Sequence, residues 1–233
     1  MTRLWPFRAA ERPLGAAASA YATAPLVRDA TPWREAPLCA LDFELTGLDL
    51  EHDEIISFGA VPIDDGIVRL AGAVSGLVRP QREIGEASIR VHTIRAVDLE
   101  RAPVLDEAIG PLLDVLAGRA LVVHTAAVER AHLGRALRRL GTKLRGPVID
   151  TDVLGRIWLH SRDRRLRRHV SLSELAGQLG LPADSPHNAL SDALTTAQVF
   201  IALASHLDAE HPETVGGLAH AERRLATIRT FHA

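Results

Sequence analysis

The sequence predicts an α/β fold in which a mixed sheet, an antiparallel meander followed by parallel strands, is flanked by helices. Three observations carry that reading. Apolar runs of strand length stand at 38–44 and 54–61, and the second leads into Asp64-Asp65-Gly66, a two-residue hairpin signal. Short apolar strands at 120–124 and 148–150 then alternate with helical periodicity, as parallel strands joined by crossover helices do. The chain has 233 residues, 47% of them hydrophobic, enough for one domain of ordinary size with extensions.

Taken in order, residues 1–36 read as an N-terminal arm, mobile or docking, because Pro6, Pro13, Pro25 and Pro32 interrupt its Ala-rich stretches. The domain proper is expected at 37–206. Its third strand is read at 67–78, closing the meander. Leu105, Ala108, Ile109, Leu112 and Leu116 follow at helical spacing. After the strand at 120–124, a helix at 127–140 carries the apolar stripe Leu133, Ala136, Leu137 and Leu140. The strand at 148–150 precedes helical segments around 152–159 and 171–179. A long helix at 188–206 starts on Asn188, a good capping residue. Residues 207–233 form a helical tail with Leu218, Ala221, Leu225 and Ile228 on one face.

Composition excludes several classes of function. One cysteine, Cys39, rules out an internal disulfide framework and a Cys-rich zinc site, and suits a reducing cytoplasm, the expected location. No run approaches the roughly 18 apolar residues that cross a bilayer, so no membrane partner is expected. A net charge of −2 argues against a wholly basic nucleic-acid coat, yet it hides an asymmetry. Acids dominate between 42 and 54, whereas Arg162, Arg164, Arg165, Arg167 and Arg168 cluster before Ser171. Such a cluster either neutralises phosphates or is a solvated loop.

Three acidic segments carry the chemistry. Strand alternation sends Asp42 and Glu44 to one face and Phe43 to the other. Two carboxylates there repel and resist burial unless a cation compensates, and magnesium prefers such oxygen ligands; an exposed strand end with solvated acids is the bland alternative. Glu129 lies four residues before Leu133 and shares its inward stripe; a first-turn glutamate favoured by the helix dipole is the alternative. Asp192 falls one turn into the long helix, with His187 in the loop before it. The pair could act as metal ligand and general base, or be an ordinary surface histidine and aspartate.

Together these segments resemble the DEDD, or DnaQ-like, 3′–5′ exonucleases, in the branch whose third motif carries histidine. The family's D-x-E-T-T-G-L is met by Asp42-Phe-Glu-Leu-Thr-Gly-Leu48, and its H-N-A-x-F-D by His124-Thr-Ala-Ala-Val-Glu129. Its H-x-A-x-x-D-A is met by His187-Asn-Ala-Leu-Ser-Asp-Ala193, and Val91-His-Thr-Ile94 echoes a further H-G-I-T segment. The resemblance spans about 37–205 and implies a ribonuclease H-like fold. It implies two divalent cations, magnesium or manganese, about 3.5–4 Å apart, that clamp an in-line displacement at phosphorus. Asp42 would bridge both ions, Glu44 and Asp192 would hold the one bearing the nucleophilic water, and Glu129 would serve the second. His187 would accept the water's proton. Thr46, Gly47, Leu48, His124 and Thr125 would line the terminal nucleotide. The implied ligand is a single-stranded nucleic acid 3′ end, with a polymerase as a possible partner through the arm or tail. Departures are Glu129 for aspartate, Thr125 for asparagine, Val128 for phenylalanine and Leu45 for threonine. DNA-directed exonuclease is the leading reading; RNA or oligoribonucleotide trimming and a catalytically weakened nucleic-acid-binding module are the alternatives.

Overall fold

The computed structural model describes residues 14–163, 168–182 and 187–230. Helix α1 (Leu14–Thr23) precedes strands β1 (Leu38–Leu45), β2 (Ile55–Asp64), β3 (Ile67–Val68) and β4 (Val74–Leu77). Short helices α2 (Glu86–His92), α3 (Ala96–Leu99), α4 (Leu105–Ala108) and α5 (Gly110–Leu116) lead to β5 (Ala120–Val123). Then come α6 (Ala126–Arg139), β6 (Val148–Asp150), α7 (Thr151–Asp163) and α8 (Leu172–Gln178). The chain closes with α9 (Ala189–Glu210), α10 (Val215–Ala219) and α11 (Glu222–Thr230). The sheet order is β3-β2-β1-β5-β6, with β4 also on β2. β1 runs antiparallel to β2 and parallel to β5, and β5 runs parallel to β6. This is the mixed sheet that the sequence predicts.

Side chains of β1 alternate between two cores, as a pleated strand requires. Leu38 and Ala40 pack with Leu154, Leu175, Phe200 and Leu203 of α7, α8 and α9. Cys39, Leu41 and Phe43 pack with Tyr21, Leu112, Leu113, Leu133 and Leu137 of α1, α5 and α6. Each fully buried leucine contributes about 1.5–3 kcal/mol of apolar transfer, so the three layers hold the sheet rigidly. Asp65 (φ 55°) and Gly66 (φ 68°) turn the β2–β3 hairpin, the pairs Ile63–Val68 and Asp64–Ile67 flanking them.

Several elements differ from the sequence reading. The expected third strand breaks after Val68 into a turn at Leu70–Gly72 and then β4. Arg69 N–H donates to Pro62 O, but Pro62 has no N–H to return, so the ladder stops there. The expected helix through Leu105 and Leu116 divides at Ile109, because Gly110-Pro111 restarts it and Pro111 cannot donate to the preceding turn. Over its described part, 14–36, the expected mobile or docking arm lies against the domain. Ala17 and Tyr21 are buried, and Trp33 meets Phe200 edge-to-face at 5.5 Å. The two flanking segments also zip together: Val215 N–H donates to Thr31 O and Gly216 N–H to Asp29 O, each at 2.9 Å. The tail buries Leu218, Ala221 and Leu225, while the Ile228 side chain lies outside the described ones. Among the described residues no helix is long and apolar enough to cross a membrane.

Candidate active site

The register of β1 and β2 builds the floor. Asp42 pairs with Gly59 and Glu44 with Ser57, so a glycine stands beside the first acid on the same face. A Cβ at Gly59 would lie 2.3 Å from the Ala189 carbonyl group, so only glycine lets the first turn of α9 rest on the sheet. That turn is fixed by Asn188, whose Oδ1 accepts the Ser191 N–H at 3.2 Å. His187 has a left-handed backbone (φ 66°), and its N–H donates to Asp192 Oδ2 at 2.7 Å. The result brings carboxylate oxygens of Asp42, Glu44 and Asp192 all within 4.8 Å of one another.

These acids hold protons far more tightly than free carboxyls. Burial pushes Asp42 well above the usual range, and the charges of Glu129, Glu44 and Asp192 add to it. Burial, with Asp192 beside it, moves Glu44 from 4.5 to about 8. Asp192 is raised by burial despite the opposing His187 N–H bond. Oxygen-only donors crowded at this spacing, with unbalanced negative charge, fit a hard divalent cation such as magnesium or manganese.

Glu129 approaches from the other layer. It lies in the first turn of α6, is 4% exposed, and its Oε2 has no hydrogen-bond partner among the described residues. It stands outside the three-acid group but close enough to raise Asp42. Burial drives Glu129 itself well up, and Asp150 adds to the effect. Asp150, which sequence reading placed merely at a strand end, accepts N–H bonds from Thr125 (3.0 Å), Ala126 (2.8 Å) and Asp152 (2.9 Å). It therefore caps α6 and aims its first turn at the acids. Thr125, at the cap, is left-handed (φ 71°). His124 Nδ1 meets Thr151 Oγ1 at 2.9 Å, its ring lies 5.8 Å from that of His169, and burial holds its pKa below the ordinary value.

The β1–β2 loop forms the rim. Thr46 is 1% exposed, and its groups are committed to the turn. Its hydroxyl donates to Asp53 Oδ1 (2.7 Å) and accepts the Glu54 N–H (3.0 Å). Its N–H donates to Glu54 O, and its carbonyl accepts the Gly85 N–H, both at 2.9 Å. These four bonds tie Thr46 into the turn that precedes Gly47 and Leu48. A Cβ at Gly47 would lie 2.3 Å from Asp53 Oδ2, and Leu48 is 94% exposed. Gly59, Asp53 and Asp150 were not singled out from sequence; a glycine inside an apolar strand was the one available signal. His92, named only as an echo, is buried close enough to His187 to feel its charge. Of the arginine cluster, Arg162 lies 4.9 Å over the Trp158 ring and Arg168 is exposed, while Arg164, Arg165 and Arg167 lie outside the described residues.

Comparison with known proteins bears on the family and the fold. A family model described as Exonuclease covers residues 39–200. The DNA polymerase III PolC-type of Thermotoga petrophila is 34% identical over 170 residues, 72% of this chain and 12% of that protein. The DNA polymerase III subunit epsilon of Aquifex aeolicus is 29% identical over 168 residues, covering 72% of this chain and 80% of its own. The chain thus spans about an eighth of the length of the PolC-type relative. Among solved structures, the nuclease domain of 3′hExo, a DEDDh family member bound to rAMP, superposes with a TM-score of 0.60. That likeness covers 77% of this chain and 95% of the other at 18% identity, and it shows a shared fold. The resemblance read from the three acidic motifs therefore holds, and the chain belongs to the exonuclease family.

Proposed function

We propose that the chain is a metal-dependent 3′–5′ exonuclease that releases nucleoside 5′-monophosphates from single-stranded DNA ends. The observation that carries this reading is the convergence of Asp42, Glu44 and Asp192 within 4.8 Å, beside a rim whose Leu48 projects into solvent. Asp42 would be shared by two cations, with Glu44 and Asp192 on one and Glu129 toward the other. Magnesium or manganese, when bound, supplies an activated water and a clamp on the attacking and leaving oxygens. The chain's own residues do the rest. His187 takes the proton of the attacking water as that oxygen bonds to phosphorus. The bond from phosphorus to the 3′-oxygen of the penultimate nucleotide breaks, and that oxygen takes a proton from solvent. Leu48 packs on the last base, the Gly47 and Leu48 backbone meets the 3′-hydroxyl, and His124 and Thr125 line the same pocket.

DNA is favoured because the relatives named above are DNA polymerase III proteins. The same names motivate a polymerase partner, met by residues 1–36 or 207–233 flanking the domain. The test uses 5′-labelled single strands of matched DNA and RNA, with magnesium, manganese or chelator. A metal-dependent ladder shortening from the 3′ end of DNA, with mononucleotide products, is expected. Faster loss of the RNA strand would move the substrate class to RNA. Absence of products from both would leave a binding module only.

A further inference from the structure

The loop that carries Gly47 and Leu48 is anchored from outside by a residue with no assigned role. Its tip is a single self-bonded turn. Asp49 Oδ1 accepts the N–H groups of Glu51 (2.8 Å) and His52 (3.2 Å), and Asp53 N–H donates to Asp49 O (3.0 Å). The Asp53 carboxylate accepts the Thr46 hydroxyl and the Asp49 N–H, each at 2.7 Å. A turn of this kind leaves its last carbonyls without partners inside the turn. Here they converge on one guanidinium. Arg135 Nη1 donates to Leu50 O (2.7 Å) and Glu51 O (2.8 Å), and Nη2 donates to Asp53 O. Arg135 stands on α6, the helix whose first turn presents Glu129. Between them His132 is 1% exposed, bonded to Val128 O at 2.9 Å and packed toward Asp53.

We propose that Arg135 is a positioning residue for the terminal-nucleotide pocket: it ties the rim loop to α6 and so sets where Gly47 and Leu48 stand over the acids. The inference rests on the exonuclease reading. A planar fork with several donors suits three carbonyls in a way a lysine ammonium does not. The body of the loop is already held by Asp53 and by the Gly85 N–H, so losing Arg135 loosens the tip without dismantling the fold. The acids themselves are not among its hydrogen-bond partners. Loss should therefore appear in substrate affinity and spare turnover.

The experiment uses the full chain and a short single-stranded DNA. Arg135→Ala should raise KM roughly tenfold and leave kcat within about twofold, the pattern of lost uniform binding. Arg135→Lys should regain part of the loss. In a Leu48→Ala background the Arg135→Ala penalty should shrink, because the Leu48 side-chain contact is already gone while the backbone contacts of Gly47 and Leu48 remain to be displaced. Amide hydrogen exchange at 49–53 should quicken while the global thermal midpoint moves little. A fall in kcat at unchanged KM, or penalties that add fully with Leu48→Ala, overturns the positioning role while the exonuclease reading stands. If the unaltered chain cleaves no strand, the exonuclease reading and the positioning role fail together.

Discussion

The two sides of the acidic site are built by different means, and the contrast separates structural acids from those left waiting for a partner. On one side Asp42, Glu44 and Asp192 meet because strand register and a missing side chain at Gly59 bring a helix onto the sheet. Among the described residues no backbone donor neutralises Asp42 or Glu44 there, and both hold protons tightly. On the other side Asp150 is surrounded by three backbone N–H groups, whereas Glu129, one turn along the helix it caps, keeps an unpartnered oxygen. An acid already satisfied by N–H groups orients the scaffold. Acids crowded together without donors store repulsion that a cation relieves.

The largest expected effect comes from breaking the first side. Asp42→Asn should reduce cleavage by roughly 10²–10³-fold or more, as loss of an electrostatic clamp does. The metal-free protein should at the same time melt higher near neutral pH, because asparagine spares the cost of protonating a buried carboxyl on folding. Product gels and thermal melts on the same preparation check both; retained activity would sink the metal reading.

Next is Glu129, the longer acid on the second side. Its extra methylene fits magnesium's strict octahedral geometry poorly, so manganese should support the higher rate. Glu129→Asp should narrow that gap, and Glu129→Ala should remove most activity with either ion. Rates of the three proteins across metal concentrations decide whether Glu129 serves the ions or only the helix dipole.

A pH series sharpens the comparison without substitution. Glu44 is raised from 4.5 to about 8, so across that window the folded, metal-free chain holds a proton that the unfolded chain has released. Stability must then fall as pH rises through the window. Asp42, Asp192 and Glu129 are shifted the same way. His92, His124 and His132 are lowered by burial, so their contribution rises with pH near 6.5 and opposes the acids there. The clean interval is therefore about pH 6.5 to 8, where melting in chelator should drop and added manganese should abolish the drop. A midpoint that is flat in chelator would show that the acids are solvated.

The smallest effect is local. Thr125 is a β-branched residue in left-handed backbone (φ 71°), which costs about 1 kcal/mol or more. Asparagine tolerates that conformation better. Thr125→Asn should raise the melting midpoint by roughly 2–4 °C if about 1 kcal/mol is recovered. An unchanged midpoint would mean the strain is offset by contacts of the threonine.

Much of this arrangement was legible in the sequence because it depends on short-range rules. Alternation along β1 puts Asp42 and Glu44 on one face, and Asn188 marks the start of α9. The Ala-rich α1 was missed because its alanines give no apolar stripe against a polar face, although Ala17 and Ala18 bury against the domain. Pro62 did announce the end of β3, but only once its partner strand was known. The bonds of Thr46, Asp53 and Arg135 were out of reach. Those of Thr46 and Asp53 depend on how an irregular loop closes on itself, and those of Arg135 on where its tip meets a helix over eighty residues away in sequence.

Chain order gives the placement of Asp192 a temporal meaning. The α1–α5–α6 core needs nothing beyond Val148, whereas the opposite face of the sheet needs α9 and the residues zipped to Thr31. During synthesis at roughly 5–20 residues per second, Asp42 and Glu44 precede their third companion by on the order of ten seconds. Until residue 192 emerges, the growing polypeptide holds the two strand acids on an uncovered sheet face, and the site is completed only as the last helices close over it.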